Sequence, residues 1–205
     1  MIVTKSRPEL SLPPSVSPRS DGLHVSAIIR CIATEQGILK PEWAEELSLV
    51  DVREIKDPIA ILRILIGLAW EEKYIPMIPG VLDHPGEMKL EDIFMTHDGE
   101  SIGYVLSQVT SNRLMAVLCH EVKATYKSTK TVGDLDTQWM WLAQIKAYCK
   151  ALGTRFAVLH VLFLCGDYSR PIKPDLWIWN IEFTQEEIDM NWDILRDYRD
   201  LKLGL

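Results

Sequence analysis

The chain has 205 residues, 47% of them hydrophobic and 25% charged, which suits one globular domain with a substantial core. Its net charge of −7 argues against a general nucleic-acid coating protein, which is normally basic. No apolar run reaches the about 18 residues that a bilayer span needs, and the N-terminus lacks the charged-then-apolar order of a secretory signal.

Residues 1–21 hold Pro8, Pro13, Pro14 and Pro18 among serines and read as an extended arm before a single domain over residues 22–205. A first helix is expected from about His24 to Thr34, with Val25, Ile28, Ile29 and Ile32 on one face. Gln36 to Val50 reads as a shorter, more acidic helical region around Lys40-Pro41. Asp57-Pro58 then supplies an N-cap and a first-turn proline for a helix through IAILRILIGLAWEEKY. That helix is so apolar that burial on nearly all sides is expected. Glu71 and Glu72 are carried out at its C-terminal end, where the helix dipole disfavours negative charge.

Tyr74 to Pro85 is rich in proline and should be irregular. Two strands, Met88–His97 and Ser101–Thr110, are expected to flank a turn at Asp98-Gly99. The stretch from Met115 opens as a buried strand, Met-Ala-Val-Leu-Cys, and then admits two charges, Glu121 and Lys123. Residues two apart in a strand share a face, so this carboxylate and ammonium lie side by side. Burying such a pair is costly unless something uses both charges. A metal ion beside a phosphate would use both; a strand-end salt bridge is the plain alternative.

Asp136–Leu152 reads as a helix stopped by Gly153, with Gln144 and Tyr148 four apart on one face. Arg155–Cys165 reads as a central strand and Asp175–Phe183 as another. Thr184 to Glu187 is a capping box for a last helix to about Leu201. The order predicts an α/β fold: a central mixed sheet with an antiparallel meander, flanked by helices. Between Val122 and Arg155 six Lys or Arg residues face only two Asp, a local basic excess in an acidic chain that hints at a polyanion-facing side. Cys31, Cys119, Cys149 and Cys165 form no CxxC pair or Cys/His cluster, so they read as reduced thiols of a cytoplasmic protein with neither zinc nor an iron–sulfur cluster.

Four short motifs, in this order, resemble the PD-(D/E)xK nuclease superfamily, in its RecB-like and lambda-exonuclease-like branch. Gly67 to Glu71 is similar to the G-x-x-x-E helix, with Glu72 a competing carboxylate. Thr96-His97-Asp98-Gly99 is similar to the S-P-D-G hairpin, although His97 stands where proline is usual and Asp92 competes with Asp98. Glu121-Val122-Lys123 matches (D/E)-x-K, and Gln144 to Tyr148 matches Q-x-x-x-Y. Val25-Ser26-Ala27 resembles the serine-containing helix start of that branch.

The resemblance implies a restriction-endonuclease-like core and a divalent-metal-dependent DNA nuclease, an exonuclease by preference. Asp98, Glu121, the Val122 carbonyl and Glu71 would be ligands of Mg2+ or Mn2+, oxygen donors that suit a hard cation. Lys123 would orient the attacking water and stabilise charge; Gln144 and Tyr148 would line the site. Lys127, Lys130, Lys146, Arg155, Arg30 and Ser26 are the candidates for DNA contacts. DNA would be the partner, with a homo-oligomer or a phage or recombination protein as further possibilities. A catalytically inactive DNA-end or protein-binding module of the same fold is the alternative.

Overall fold

A computed structural model describes residues 22–39 and 58–204. The expected arm over residues 1–21, most of the acidic region after Gln36 and the Asp57 cap lie outside the described residues.

The described elements are β1 (Leu23–His24), α1 (Val25–Glu35), α2 (Pro58–Tyr74), β2 (Leu82–Asp83), β3 (Glu87–Leu90), β4 (Ile93–Thr96), β5 (Gly99–Leu106), β6 (Arg113–Thr125), α3 (Trp139–Leu152), β7 (Phe156–Phe163), β8 (Asp175–Glu182) and α4 (Gln185–Leu203). Strands β2-β5-β6-β7-β8 form one sheet in that order, and β1-β4-β3 form a small second one. The large sheet is mixed: β6 and β7 run parallel, and the other neighbours run antiparallel. The parallel pair is joined through α3, the crossover that parallel neighbours require.

Alternation along β6 and β7 assigns the two faces. Cys119 meets Cys149 of α3, and Ala157, Leu159, Val161 and Phe163 fill the same side with Ile145, Ile28, Ile32, Trp192 and Leu195. On this side α1, α3 and α4 pack over the sheet, while α2 lies against β6 on the other. Gly153 adopts the left-handed conformation (φ 65°) that ends α3, and Thr184 with Glu187 forms the expected reciprocal capping box of α4.

Two local expectations are corrected. The stretch read as one strand over Met88–His97 is a tight hairpin, β3 and β4, turning on Glu91 and Asp92 with φ of 45° and 62°. Asp98-Gly99 instead opens β5. A Cβ on Gly99 would lie 2.7 Å from Val81 and 3.2 Å from the Leu82 carbonyl, so close approach of β2, not turn geometry, calls for glycine there. Helix α2 is also less enclosed than its composition implied: Leu62 and Leu68 are about half exposed. No helix of the described residues is long and apolar enough to cross a membrane.

Candidate active site

The site forms where β5 stops and β6 continues. The antiparallel pairing starts with Gly99 opposite His120, so Glu121 to Thr125 pair only with β7. The edge left bare is partly taken by a side chain, as Asp98 Oδ2 accepts the Val122 N–H at 2.6 Å. A carboxylate thereby stands in for the missing strand.

Glu121 and Lys123 project toward α3. Glu121 is 1% exposed, yet its Oε2 has no hydrogen-bond partner, while its Oε1 accepts from the Lys123 ammonium. Asp98 stands beside Glu121, near enough for its charge to raise the glutamate. From α3, the Gln144 Oε1 accepts from Lys123 at 3.3 Å, and Gln144 donates to the Tyr148 hydroxyl at 2.5 Å. The four-residue spacing puts both side chains on the face turned to β6.

Helix α2 brings Glu71 from the opposite side of the sheet edge. Glu71 and Glu121 feel each other's charge, as do Glu71 and Asp98. Glu72 points away, paired with Lys73 at 2.6 Å in solvent, and Asp92 pairs with Lys89 at 2.7 Å on the exposed hairpin turn. Of the two pairs of rival carboxylates, Glu71 and Asp98 are the members gathered here.

Three carboxylates around one ammonium leave an excess of negative charge in a poorly hydrated place. Burial, reinforced by Glu71, pushes Asp98 up to about 7, and burial with Asp98 beside it pushes Glu121 up to about 8. Burial and the charge of Glu121 also raise Glu71. For Lys123, burial works against the charged form, but Glu121 and Asp98 outweigh it and raise its pKa. A buried carboxylate oxygen without a partner is rare and calls for a missing one. A hard cation fits: it would take the Glu121 and Asp98 oxygens together and relieve their repulsion. Among the described residues no three His, Cys, Asp or Glu side chains lie together in a group that could hold a metal ion.

Two groups here escaped the sequence reading. His84 holds a left-handed backbone (φ 45°), donates its N–H to the Asp98 carbonyl at 3.1 Å and lies 3.0 Å from Glu71 through Nε2. Beneath β6 runs a buried polar chain: Ser101 Oγ to His120 at 2.9 Å, His120 to His160 at 3.2 Å, and His160 to the Tyr74 hydroxyl at 3.1 Å. It ties the end of α2, one turn past Glu71, to the sheet. Burial drives both histidines down to about 4, so they are neutral near pH 7. Scattered single histidines carry no such signal; only the parallel register of β6 with β7 brings these two together.

The six candidates for DNA contacts are not gathered in one patch. Lys127 lies past the end of β6, bonded to Gln138 at 2.6 Å and 5.1 Å from the Trp141 ring. Lys130 pairs with Asp167 at 3.1 Å in the same region. Lys146 faces Glu187 at 3.9 Å and the Phe183 ring, and Arg155 faces Glu182 at 3.6 Å at the start of β7, both away from the carboxylates. Ser26 and Arg30 are half-buried on α1.

No family model and no curated protein matches this sequence. Solved structures do match. The alkaline exonuclease of Laribacter hongkongensis superimposes with a TM-score of 0.54 at 12% identity, covering 90% of this chain and 89% of that one. A phage-related exonuclease from Haemophilus somnus 129PT gives 0.52 at 14% identity, covering 89% and 95%. A second structure of the Laribacter enzyme, in complex with dAMP, gives 0.50 at 14% identity. The chain has the fold of these exonucleases.

Proposed function

We propose that this protein is a divalent-metal-dependent deoxyribonuclease that hydrolyses phosphodiester bonds of DNA, an exonuclease by the kind of protein whose fold it shares. The observation that carries the reading is the buried, unpartnered Glu121 oxygen beside Asp98, with the Lys123 ammonium against the same carboxylate.

Asp98, Glu121 and the Val122 carbonyl would hold Mg2+ or Mn2+, with Glu71 completing the set directly or through water. Bound there, the cation supplies Lewis-acid stabilisation of the phosphoryl oxygens and favours a deprotonated water. Lys123 holds its charge because two carboxylates outweigh its burial. It therefore enters the reaction as a fixed donor that orients the attacking water and stabilises charge in the transition state. Gln144 restrains Lys123 and is itself restrained by Tyr148, which fixes the ammonium position relative to the carboxylates. His84 and the Tyr74–His160 bond hold Glu71 in place from two sides.

We take residues 22–205 as one nuclease unit after the arm, acting in a reducing cytoplasm on phage DNA or in recombination or repair, alone or as a homo-oligomer or with a partner protein. The test is cleavage of linear and covalently closed circular DNA with Mg2+. Wild type should degrade the linear form and spare the circle, and Glu121→Ala and Lys123→Ala should each lose at least about a hundredfold. Cleavage at the wild-type rate by both variants removes the site. Metal uptake without cleavage leaves the non-catalytic DNA-end-binding module.

A further inference from the structure

Ligands of sheets with parallel strands collect where the strands' carboxyl ends open into loops. In this sheet β6 and β7 are the parallel neighbours, and their outgoing loops are bonded together. Leu164 N–H donates to the Thr125 carbonyl at 3.0 Å, Thr129 N–H donates to the Gly166 carbonyl at 3.0 Å, and the Tyr168 hydroxyl donates to the Tyr126 carbonyl. The two loops present large aromatic surface to solvent: Tyr126 is 39% exposed and Tyr168 50%. Tyr168 holds a left-handed backbone (φ 63°), a conformation unfavourable for a bulky residue. A Cβ on Gly166 would lie 2.4 Å from the Lys173 carbonyl, so this loop admits only glycine at the bend before Tyr168.

A cation stands over one of the rings: the Arg63 guanidinium lies 5.5 Å from the Tyr126 ring. Lys127, at the next position, is turned to Gln138 and the Trp141 ring instead. Arg63, Gly67 and Glu71 follow one broad face of α2. A Cβ on Gly67 would meet nothing within 4 Å, so the helix leaves an open track from the carboxylate toward Arg63. Tyr126 lies just past the end of β6, on the α2 side, and follows Lys123 by three residues, about 10 Å of extended chain, or about three steps of a stacked nucleic-acid strand.

We infer that Tyr126 and Tyr168, with Arg63 beside Tyr126, form a shelf that stacks an unpaired nucleobase of single-stranded DNA about three nucleotides from the cleaved bond. The inference rests on the nuclease reading and adds its substrate class. Aromatic faces accept any base by stacking, and the guanidinium takes a neighbouring phosphate. The shelf therefore recognises that a base is unpaired without recognising which base it is.

The test uses the full chain in EDTA and a fluorescein-labelled oligothymidylate, beside an abasic oligomer with the same phosphates. Wild type should bind the oligothymidylate about tenfold more tightly than the abasic oligomer. Tyr126→Ala and Tyr168→Ala should each remove most of that difference, and Tyr168→Phe, which keeps the ring, should retain it. Equal affinity of wild type for both oligomers overturns the shelf, as does a full preference in both alanine variants. Cleavage of linear duplex by wild type with Mg2+, measured in parallel, separates the two ideas. An active enzyme without a base preference loses the shelf alone, and a protein that neither cleaves nor binds DNA loses the nuclease reading as well.

Discussion

Two glutamates of the same sheet, one half-buried and one fully buried, behave in opposite ways. Glu182 ends β8 with its side chain 8% exposed, and both oxygens are served: Ser107 Oγ donates at 2.7 Å, the Gln108 N–H donates at 2.6 Å and Arg155 stands at 3.6 Å. Burial alone would raise its pKa, but these donors prevail and hold it below the ordinary value. Glu121 is more deeply buried, has one oxygen without a partner, and is raised to about 8. The chain completes one carboxylate for structure and leaves the other incomplete. In the proposed function this incomplete carboxylate, with Asp98 beside it, is where a hard cation would sit.

The sharpest way to break this contrast is to neutralise each glutamate in turn. Glu121→Gln should abolish cleavage, a loss of at least about a hundredfold, yet leave the metal-free protein at least as stable as wild type at pH 8.5. Its folded pKa is raised, so its ionised form works against the fold: the penalty is absent below about 4.5 and grows as pH rises toward about 8. Glu182→Gln should do the reverse. It should keep cleavage and lose about 1 kcal/mol in urea melts, because the exchange weakens the bonds from Ser107 and the Gln108 N–H and removes the charge facing Arg155. A Glu121→Gln protein that melts well below wild type at pH 8.5 would make Glu121 a structural group like its counterpart.

A smaller effect concerns the tether under α2. Tyr74→Phe removes the bond to His160 and should cost about 1 kcal/mol. It should also raise, a few-fold, the Mn2+ concentration for half-maximal cleavage, since Glu71 lies one turn away. The two neutral histidines predict a pH limit as well. Their folded pKa values are depressed, so their contribution is complete above about 6.5 and is lost as pH falls toward about 4. The raised carboxylates shift stability the other way over the same range. The measurement is therefore the difference in melting temperature between wild type and His120→Phe, and a difference that does not shrink from pH 7 to pH 4.5 would contradict the network. The smallest effect is Gly67→Ala, which should gain up to about 1 kcal/mol of helix stability, because nothing crowds the added methyl.

The sequence was most informative where local chemistry decides the outcome. Glu121 and Lys123 stood out because charge interrupts an apolar strand, and Gly153 and Thr184 because helix ends have few solutions. It was less informative where a distant element decides. Asp98-Gly99 looks like a hairpin turn, but the tight turn falls at Glu91-Asp92, whose left-handed backbone no glycine advertises. The docking of Asp98 on Val122 depends on where β5 ends, and the His120–His160 contact depends on strand register. Lys146 and Arg155 belong to the basic stretch of sequence but point to other carboxylates, because a charge count along the chain carries no information about faces.

The central claim is that Glu121 is left incomplete for a divalent cation. Calorimetric titration of the metal-free, buffer-exchanged protein with Mn2+ at pH 8, for wild type and Glu121→Gln, tests it directly. The account predicts saturable uptake by wild type, with protons released as the raised carboxylates ionise, and its loss in the variant. Identical isotherms for the two proteins, or no uptake by wild type, would contradict it.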